Sequence, residues 1–321
     1  MKAVARHIAG LLILFAPAAA AQEYPARPVR LIVATAPGGL MDVPARLLAG
    51  HFENLFGQRL LIENRGGAGG VLAGDAVAKA LPDGYTLAQI QMSNAAVNPF
   101  LVKDMPFDPL VDFAPVAPLT SSPVVVAIGA SLPANTLAEF IALAKRAPGK
   151  LNYGTAGRGT TPHLAGELFS LAAGVRLTAV HYRGAGPALA DLLAGQVQAA
   201  FVGLGVVRPH IATGRLKALA VSQATRLQAA PAIPTAAESG LPGFELNTWF
   251  GVVAPKGTPE RTVAVLARMI HAMQDNPAVL SRFAENGLEA LRESPAQFAV
   301  RMRRDHEKMR ALVSAAGLRP E

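Results

Sequence analysis

One local pattern occurs three times in this chain and constrains its fold more than any other feature. A β-like run ends in a glycine-containing turn, and the turn opens a helix with a proline in or near its first turn. The copies lie at residues 29–49, 150–169 and 176–195. Strands that alternate with helices in this way predict an α/β fold with largely parallel sheets. The first N–H groups of each helix lack intrahelical partners and carry partial positive charge, which suits an anion.

The same alternation continues along the whole chain. Predicted strands cover residues 30–35, 59–63, 86–91, 124–128, 151–154, 177–182, 199–204, 218–221 and 246–254. Predicted helices cover residues 44–56, 71–80, 137–146, 162–172, 187–194 and 207–213, with two or three more at the C-terminal end. A polar loop is expected at Ser93 and Asn94. Proline-rich, irregular connections are expected at 99–123 and 231–242.

The two proline-rich connections divide the chain into two predicted lobes. One lobe is discontinuous and combines residues 22–123 with 247–321, and the other, residues 124–246, is inserted into it. The chain then crosses between the lobes twice, which makes a hinge and predicts closure around a ligand. Ligands of open parallel sheets bind beyond the carboxyl ends of the strands, so we expect the ligand in the cleft between the lobes.

Residues 1–21 have the three parts of a secretory signal peptide. Lys2 and Arg6 give a basic start, residues 8–15 are apolar but too short to span a bilayer, and small residues end at Ala21. We expect cleavage before Gln22 and a soluble, monomeric mature protein; an uncleaved anchor is the alternative. The chain has no cysteine, so disulfides and a lipid anchor on an N-terminal cysteine are excluded.

Composition and motifs argue against several functional classes. The net charge is +8, but aromatic residues make up only 6% and are not interleaved with basic runs, so nucleic acid is not an expected partner. Complete dinucleotide, P-loop and serine-hydrolase motifs are missing from the sequence. The seven histidines show no zinc-ligand spacing. We therefore expect no catalytic residue, no metal and no cofactor, and the anion-binding turns indicate binding of a small carboxylate.

The turn after the first predicted strand is the first candidate site. Its glycines let a backbone approach a ligand closely. Asp42 either complements the start of the helix or contacts the ligand. Leu40 and Met41 either indicate a ligand with an apolar or aromatic part or cover the lobe surface. The candidate ligand contacts here are Pro37, Gly38, Gly39, Leu40, Met41 and Asp42.

The turn before the predicted helix at 162–172 is the second candidate site. Thr160 and Thr161 either cap the helix or donate to a ligand oxygen. Arg158 either pairs with a second anionic group or is an exposed loop residue. His163 is expected to pack or to donate from the first helical turn. The candidate contacts are Ala156, Gly157, Arg158, Gly159, Thr160 and Thr161.

The remaining candidates come from single positions. Tyr182, at the third turn, either presents its hydroxyl to the cleft or packs between elements. Ser93 and Asn94 are candidate polar contacts after the third strand, and Gly203 follows a strand of the inserted lobe.

Several segments, in their order and spacing, resemble the Bug family of periplasmic solute receptors, which serve tripartite tricarboxylate transporters. The resemblance covers nearly the whole mature chain. It is carried by YPARPVRLIVATAPGG with Asp42, ENRGGAGG, PGKLNYGTAGRGTTPHLAGELF, HYRGAGPALADLLAGQV and WFGVVAPKGTP.

The resemblance implies a two-lobed flytrap of the type II periplasmic binding class, a carboxylate ligand, and partnership with the large and small subunits of a membrane permease. It also implies a periplasmic location and no enzymatic activity. Leu40 and Met41 replace the hydroxyl or small residues usual in the family. Many members carry Asp or Asn near Gly203, and its absence here disfavours an amino-acid ligand. The alternatives are a sensor that docks a membrane kinase, and a periplasmic enzyme acting on a carboxylate.

Overall fold

The fold is described from a computed structural model that covers residues 24–35, 37, 38 and 40–320. The predicted signal peptide, residues 1–21, lies outside the described residues. Within the described part of the chain, no helix is both long and apolar enough to cross a membrane.

Strands and helices alternate through most of the chain, as the sequence predicts. The strands are β1 Val29–Val33, β2 Leu60–Asn64, β3 Thr86–Gln91, β4 Phe113–Gly129, β5 Asn152–Thr155, β6 Thr178–His181, β7 Ala199–Gly203, β8 Leu216–Val221, β9 Asn247–Pro255 and β10 Glu289–Ala290. The helices are α1 Asp42–Phe56, α2 Val71–Ala78, α3 Met92–Ala96, α4 Asn98–Leu101, α5 Leu137–Arg146, α6 Thr161–Ala173, α7 Ala185–Leu193, α8 Leu204–Ala212, α9 Glu260–Gln274, α10 Pro277–Glu285 and α11 Pro295–Ala315.

Helix α5 begins and ends where its cap and its apolar spacing in the sequence predict. Thr136 caps its start by accepting the Glu139 N–H at 3.2 Å. Leu137, Phe140 and Ala144 recur at helical spacing and are buried in the main core, where the Phe140 ring contacts that of Phe169 on α6. The predicted helix at 137–146 is confirmed.

Two sequence predictions are wrong in this part of the chain. The connection at 99–123 is predicted to be irregular, but residues 99–101 belong to helix α4 and residues 113–123 form the first part of the long strand β4. Its pairing with β9 is irregular after Pro115 and after Pro118, where the missing N–H groups of proline are tolerated. The polar loop predicted at Ser93 and Asn94 is helix α3, whose start is closed by the Asn94 side chain accepting the Gln91 N–H at 2.9 Å.

The sheet has two halves that share strand β4. The strand order is β2-β1-β3-β9-β4-β7-β5-β6, with β10 and β8 also paired to β4. Residues 113–123 of β4 pair with β9, and residues 124–129 pair with β7 and β8. We call the part with β1–β3, β9 and β10 the first half and the part with β5–β8 the second half. Within each half, the strands that precede helices pair in parallel: β1 with β2 and β3, and β5 with β6 and β7.

Ser222 joins the two segments of chain that pass between the halves. Its hydroxyl accepts the Val124 N–H at 2.9 Å and donates to the Leu246 carbonyl at 2.6 Å. Its own N–H donates to the Val124 carbonyl at 2.8 Å, and its carbonyl accepts the Leu246 N–H at 3.0 Å. The residue is fully buried. Ser222 therefore connects both crossing segments through four hydrogen bonds.

Apolar side chains cover both faces of the shared strand. Val124, Val126 and Ile128 belong to the main core, whereas Val125 and Ala127 belong to a second cluster on the opposite face of the second half. This period of two is what a strand buried on both faces requires. The strand is thus fixed in register where it enters the second half.

Candidate functional site

A cavity of about 580 Å³ lies where the two halves of the sheet meet. Its wall is built from six strand-to-helix corners, those leading into α1, α2, α3, α6, α7 and α8, from the short helix α4 and from the central strands β4 and β9. The carboxyl ends of the parallel strands in both halves thus face one space, as expected for an open α/β sheet. The lining residues are Thr35, Leu40, Met41, Gly69, Gln91, Ser93, Asn98, Leu101, Val102, Ser122, Val124, Ala156, Arg158, Gly159, Thr160, Thr161, Pro162, Ala185, Phe201, Val202, Gly203, Val206, Thr248 and Phe250.

At the first corner, Leu40 and Met41 form part of the wall, whereas Pro37 and Gly38 do not. Gly39 lies outside the described residues. The buried Gln89 side chain donates to the Met41 carbonyl at 2.8 Å and so fixes the corner from behind. The apolar side chains of this corner therefore face the cavity from a backbone that the neighbouring strand holds.

Asp42 is buried behind the wall and does not line the cavity. Its carboxylate accepts the Gly38 N–H at 3.0 Å, the Asn64 amide at 3.0 Å and the Arg46 guanidinium at 2.6 Å. Burial alone would raise the pKa of this carboxyl, but these hydrogen bonds and the charge of Arg46 outweigh it and lower the pKa. Asp42 lies in the first turn of α1, after the N-cap position, and closes the turn onto the helix.

The corner before α2 also reaches the cavity, although it is not among the candidate sites from the sequence. Gly69 lines the wall, with a φ of 62°. Its carbonyl accepts hydrogen bonds from the amides of Asn94 and Asn98, the latter at 2.9 Å. The Asn94 side chain thus makes its hydrogen bonds within the protein and does not line the cavity. Its neighbour Ser93 does line the cavity.

The corner before α6 brings together most of the candidates predicted at the second site. Five of the six line the cavity; Gly157 does not. The N–H of Gly157 donates to the Thr155 hydroxyl at 3.2 Å, and the N–H of Gly159 donates to His163 Nδ1 at 3.0 Å. Both amides, expected from the sequence to face an anion, are therefore directed into the protein.

The two threonines of this corner have different partners. Thr160 occupies the N-cap position, but its hydroxyl donates to the Gly157 carbonyl at 2.6 Å instead of capping the helix. The Thr161 hydroxyl lies 3.3 Å from the Thr248 hydroxyl on β9, across the cavity wall. Thr161 is thus a point of contact between the two halves.

Tyr182, predicted at the third corner, does not line the cavity. Its hydroxyl donates to the Asp191 carboxylate at 2.6 Å. Burial and this carboxylate raise the pKa of Tyr182 to about 12. Tyr182 packs against the apolar cluster of the second half, and Ala185 at the start of α7 takes the place on the wall.

Gly203, a predicted ligand contact, lines the cavity, and the space beside it is already filled. A Cβ atom at this position would lie 2.8 Å from the Ser122 hydroxyl oxygen. Ser122 belongs to the part of β4 that the sequence did not identify as a strand, so its place on the wall was missed. Thr248 and Phe250 on β9 alternate towards the cavity, and that period of two was the signal available for them.

The wall combines one cation with a large apolar surface. Arg158 is the charged residue among the described lining residues. Aliphatic and aromatic side chains come from both halves: Leu40, Met41, Leu101, Val102, Val124, Phe201, Val202, Val206 and Phe250. Polar hydroxyls and amides lie between them. Such a wall suits an anion with an apolar body.

The described residues contain no group of three or more His, Asp or Glu side chains that could hold a metal ion. Comparison with known proteins then identifies the fold. A family model described as "Tripartite tricarboxylate transporter family receptor" matches residues 44–318. The chain belongs to this receptor family.

Individual relatives agree over nearly the whole chain. Protein BugT of Bordetella pertussis is 39% identical over 279 residues, which cover 86% of this chain and 85% of BugT. The structure of R. palustris Rpa4515 with adipate has a TM-score of 0.82 and 34% identity, covering 93% of this chain and 100% of that one. The periplasmic binding protein BugD has a TM-score of 0.78 and 32% identity, over 93% and 100%. The predicted two-lobed periplasmic-binding fold is confirmed.

Proposed function

We propose that this receptor binds a small organic carboxylate with an apolar body, in the periplasm, and delivers it unchanged to the membrane subunits of a tripartite transporter. Arg158 on the cavity wall is the observation that carries the proposal. It supplies positive charge at a wall where the described residues carry no carboxylate. An aspartate or glutamate ligand would find no counter-charge for its ammonium group among the described lining residues.

The apolar wall supports the second part of the proposal. Met41 is buried, and Leu40, Leu101 and Phe250 present further hydrocarbon to the same space. Burying apolar surface contributes about 25 cal/mol per Å². Micromolar affinity requires about −8 kcal/mol, which exceeds what one ion pair with arginine contributes. Burial of the ligand's body therefore has to supply much of the affinity, and a ligand with a methylene chain or a ring gains most.

Closure of two lobes completes the proposed mechanism. The lobes are residues 22–123 with 247–321, and residues 124–246. The change in β4 pairing after Pro123 and the start of β9 at Asn247 support these boundaries. An anion first bound at one lobe is enclosed when the other closes. Release to the membrane subunits requires the reverse motion.

Titration calorimetry tests the proposal with adipate, benzoate, aspartate and the neutral diamide of adipate. We expect binding of adipate or benzoate and no binding of aspartate or the diamide. Arg158→Gln should weaken the binding of the carboxylate at least tenfold, because a hydrogen bond to a charged group contributes about 1.5–3 kcal/mol. The matched control is Arg176→Gln, an exposed arginine of the same half that does not line the cavity.

Two results would contradict this function. Equal affinity for adipate and its diamide would show that charge is not recognised. Unchanged carboxylate affinity in Arg158→Gln would remove the arginine from the site. Chromatography of the ligand after prolonged incubation checks that it is recovered intact, and a new product would favour an enzyme.

A further inference from the structure

Residues 156–160, between β5 and α6, form the loop that carries Arg158. His163 lies in the first turn of α6, behind this loop, and does not line the cavity. The residue is 3% exposed. Its Nδ1 accepts the N–H of Gly159 at 3.0 Å. An imidazole nitrogen that accepts a hydrogen bond carries no proton, so the neutral ring holds its proton on Nε2.

A second contact holds the other end of the same loop. The Thr155 hydroxyl accepts the Gly157 N–H at 3.2 Å and lies 2.8 Å from His181 Nδ1. The rings of His163 and His181 meet edge to face, with their centroids 4.7 Å apart. The backbone is therefore held before and after Arg158 by one cluster of side chains, in which Thr155 and His163 are buried and His181 is exposed.

The glycines make this inward turn possible. Gly157 has a φ of 134° and Gly159 a φ of 73°, values that favour glycine. A Cβ atom at Gly159 would also lie 2.7 Å from Leu101 Cδ1, across the cavity. The backbone of the loop thus has little freedom to change its conformation, and that conformation sets the directions of its side chains.

We propose that His163 is a positioning residue, whose Nδ1 fixes the Gly159 peptide so that Arg158 and Thr161 face the ligand together. This inference rests on the proposed carboxylate-binding function. The benefit is preorganisation: a loop already in its bound shape loses less conformational entropy when the ligand arrives.

The surroundings of the ring support its neutral state. Four titratable or charged groups face the ring: His181 on β6, Arg158 in the loop, Glu167 on α6 and Tyr153 on β5. Glu167 Oε1 lies 3.8 Å from His163 Nε2, and the Tyr153 hydroxyl donates to Glu167 at 2.7 Å. Burial, followed by the charges of His181 and Arg158, lowers the pKa of His163 to about 4. At neutral pH the ring can therefore accept the Gly159 N–H.

The test compares two substitutions. In His163→Asn the side-chain oxygen can replace Nδ1 as acceptor, whereas His163→Ala removes the acceptor. We expect His163→Ala to weaken adipate binding at least tenfold and His163→Asn to stay within about threefold of the wild-type protein. The control is His271→Ala, which removes a comparable side-chain contact, with the Glu293 carbonyl at 3.0 Å, away from the cavity. Its affinity should not change.

Amide exchange of [¹⁵N]glycine-labelled protein tests the contact without any ligand. The Gly159 amide should exchange at least tenfold faster in His163→Ala and near the wild-type rate in His163→Asn. If His163→Ala does not fold, acidification of the wild-type protein replaces it. The Gly159 signal should shift as the pH falls through about 4, also in a Glu167→Gln background.

The outcomes separate the two proposals. Equal affinity and equal Gly159 exchange in His163→Ala and the wild-type protein would overturn the positioning role, as would failure of His163→Asn to restore both. A wild-type protein that binds neither adipate nor benzoate would count against the proposed function, and amide exchange would then decide whether His163 fixes the loop.

Discussion

At the scale of single residues, the cavity loops depend on buried side chains that do not reach the cavity. Gln89 holds the Met41 carbonyl, Asn94 holds the Gly69 carbonyl and His163 holds the Gly159 N–H. Each contact links a loop to a neighbouring element. The shape of the wall is therefore set by residues one layer behind it.

Asp42 gives a prediction at this scale. Asp42→Asn places an amide N–H opposite one of the groups that now donate to the carboxylate. It also removes the charge partner of Arg46. We expect the free energy of unfolding at pH 7 to fall by about 1–3 kcal/mol, measured by chemical denaturation. Because folding lowers the pKa of Asp42, its contribution is present above the ordinary value of 3.8 and is lost as pH falls through the lower folded value.

The control for this substitution is Glu285→Gln, which breaks an exposed pair with Arg282 on α10. Exposed pairs contribute little, so its unfolding free energy should stay within about 1 kcal/mol of the wild-type value. If Asp42→Asn behaves in the same way, the three hydrogen bonds of Asp42 do not stabilise the corner.

Which side chains face the cavity was only partly predictable from residue type and turn position. Leu40, Met41 and Ser93, which are predicted ligand contacts, lie on the wall because they belong to the corners that follow β1 and β3. Tyr182 and Asn94 do not, because Asp191 and the Gly69 carbonyl bind their polar groups. Those partners come from other elements, and a local pattern carries no information about them.

At the scale of elements, α8 of the second half packs closely on the end of α10. A Cβ atom at Gly205 would lie 2.5 Å from the Asn286 carbonyl oxygen, and one at Gly287 would lie 2.6 Å from the Gly205 nitrogen. Arg208 adds a hydrogen bond to the Ala284 carbonyl at 3.3 Å. The two backbones can approach this closely because both positions lack side chains.

We expect Gly205→Ala to force these helices apart. The free energy of unfolding should fall by about 1–3 kcal/mol, because the added methyl group meets backbone atoms that cannot rotate away. The matched control is Gly186→Ala in α7, where a Cβ atom would meet nothing within 4 Å. Alanine should stabilise that helix by up to about 1 kcal/mol. Equal unfolding midpoints for the two variants would contradict the close contact.

Elements with a clean period were predictable, and those that depend on distant partners were not. Strand β3 and helix α5 have the predicted bounds because their own side chains show the pattern. The first part of β4 contains several prolines and reads as a loop, but β9 supplies the hydrogen bonds that make it a strand. Helix α3, with five residues, is too short to show a helical period.

At the scale of the whole molecule, the fold places its cavity where two groups of parallel strands end. Strand β4 runs through both halves of the sheet and pairs antiparallel with β9 in the first half and with β7 and β8 in the second. The fold class follows from the alternation of strands and helices. The positions at which the chain passes between the halves depend on pairing partners that are far apart in sequence.

Ser222 gives a prediction at this scale. Ser222→Ala leaves the buried Val124 N–H without the hydroxyl that accepts it and removes the bond to the Leu246 carbonyl. The free energy of unfolding should fall by about 1–3 kcal/mol, measured by chemical denaturation. Small-angle scattering with and without ligand should show that the change in radius of gyration on binding differs from that of the wild-type protein.

Ser170→Ala is the matched control. The Ser170 hydroxyl oxygen is buried in α6 and has no hydrogen-bond partner among the described residues. Its loss should leave stability equal to or above that of the wild-type protein. A Ser222→Ala variant as stable as Ser170→Ala would show that the hydroxyl does not couple the crossing segments.

The four hydrogen bonds of Ser222 have a mechanical consequence. Two independent linkers would let rigid bodies twist, slide and tilt relative to each other. We expect segments that are fastened to one buried serine to bend together about a common axis. Under the proposed closure, each cycle of opening would therefore return the same faces to register, so that capture and release follow one path in opposite directions.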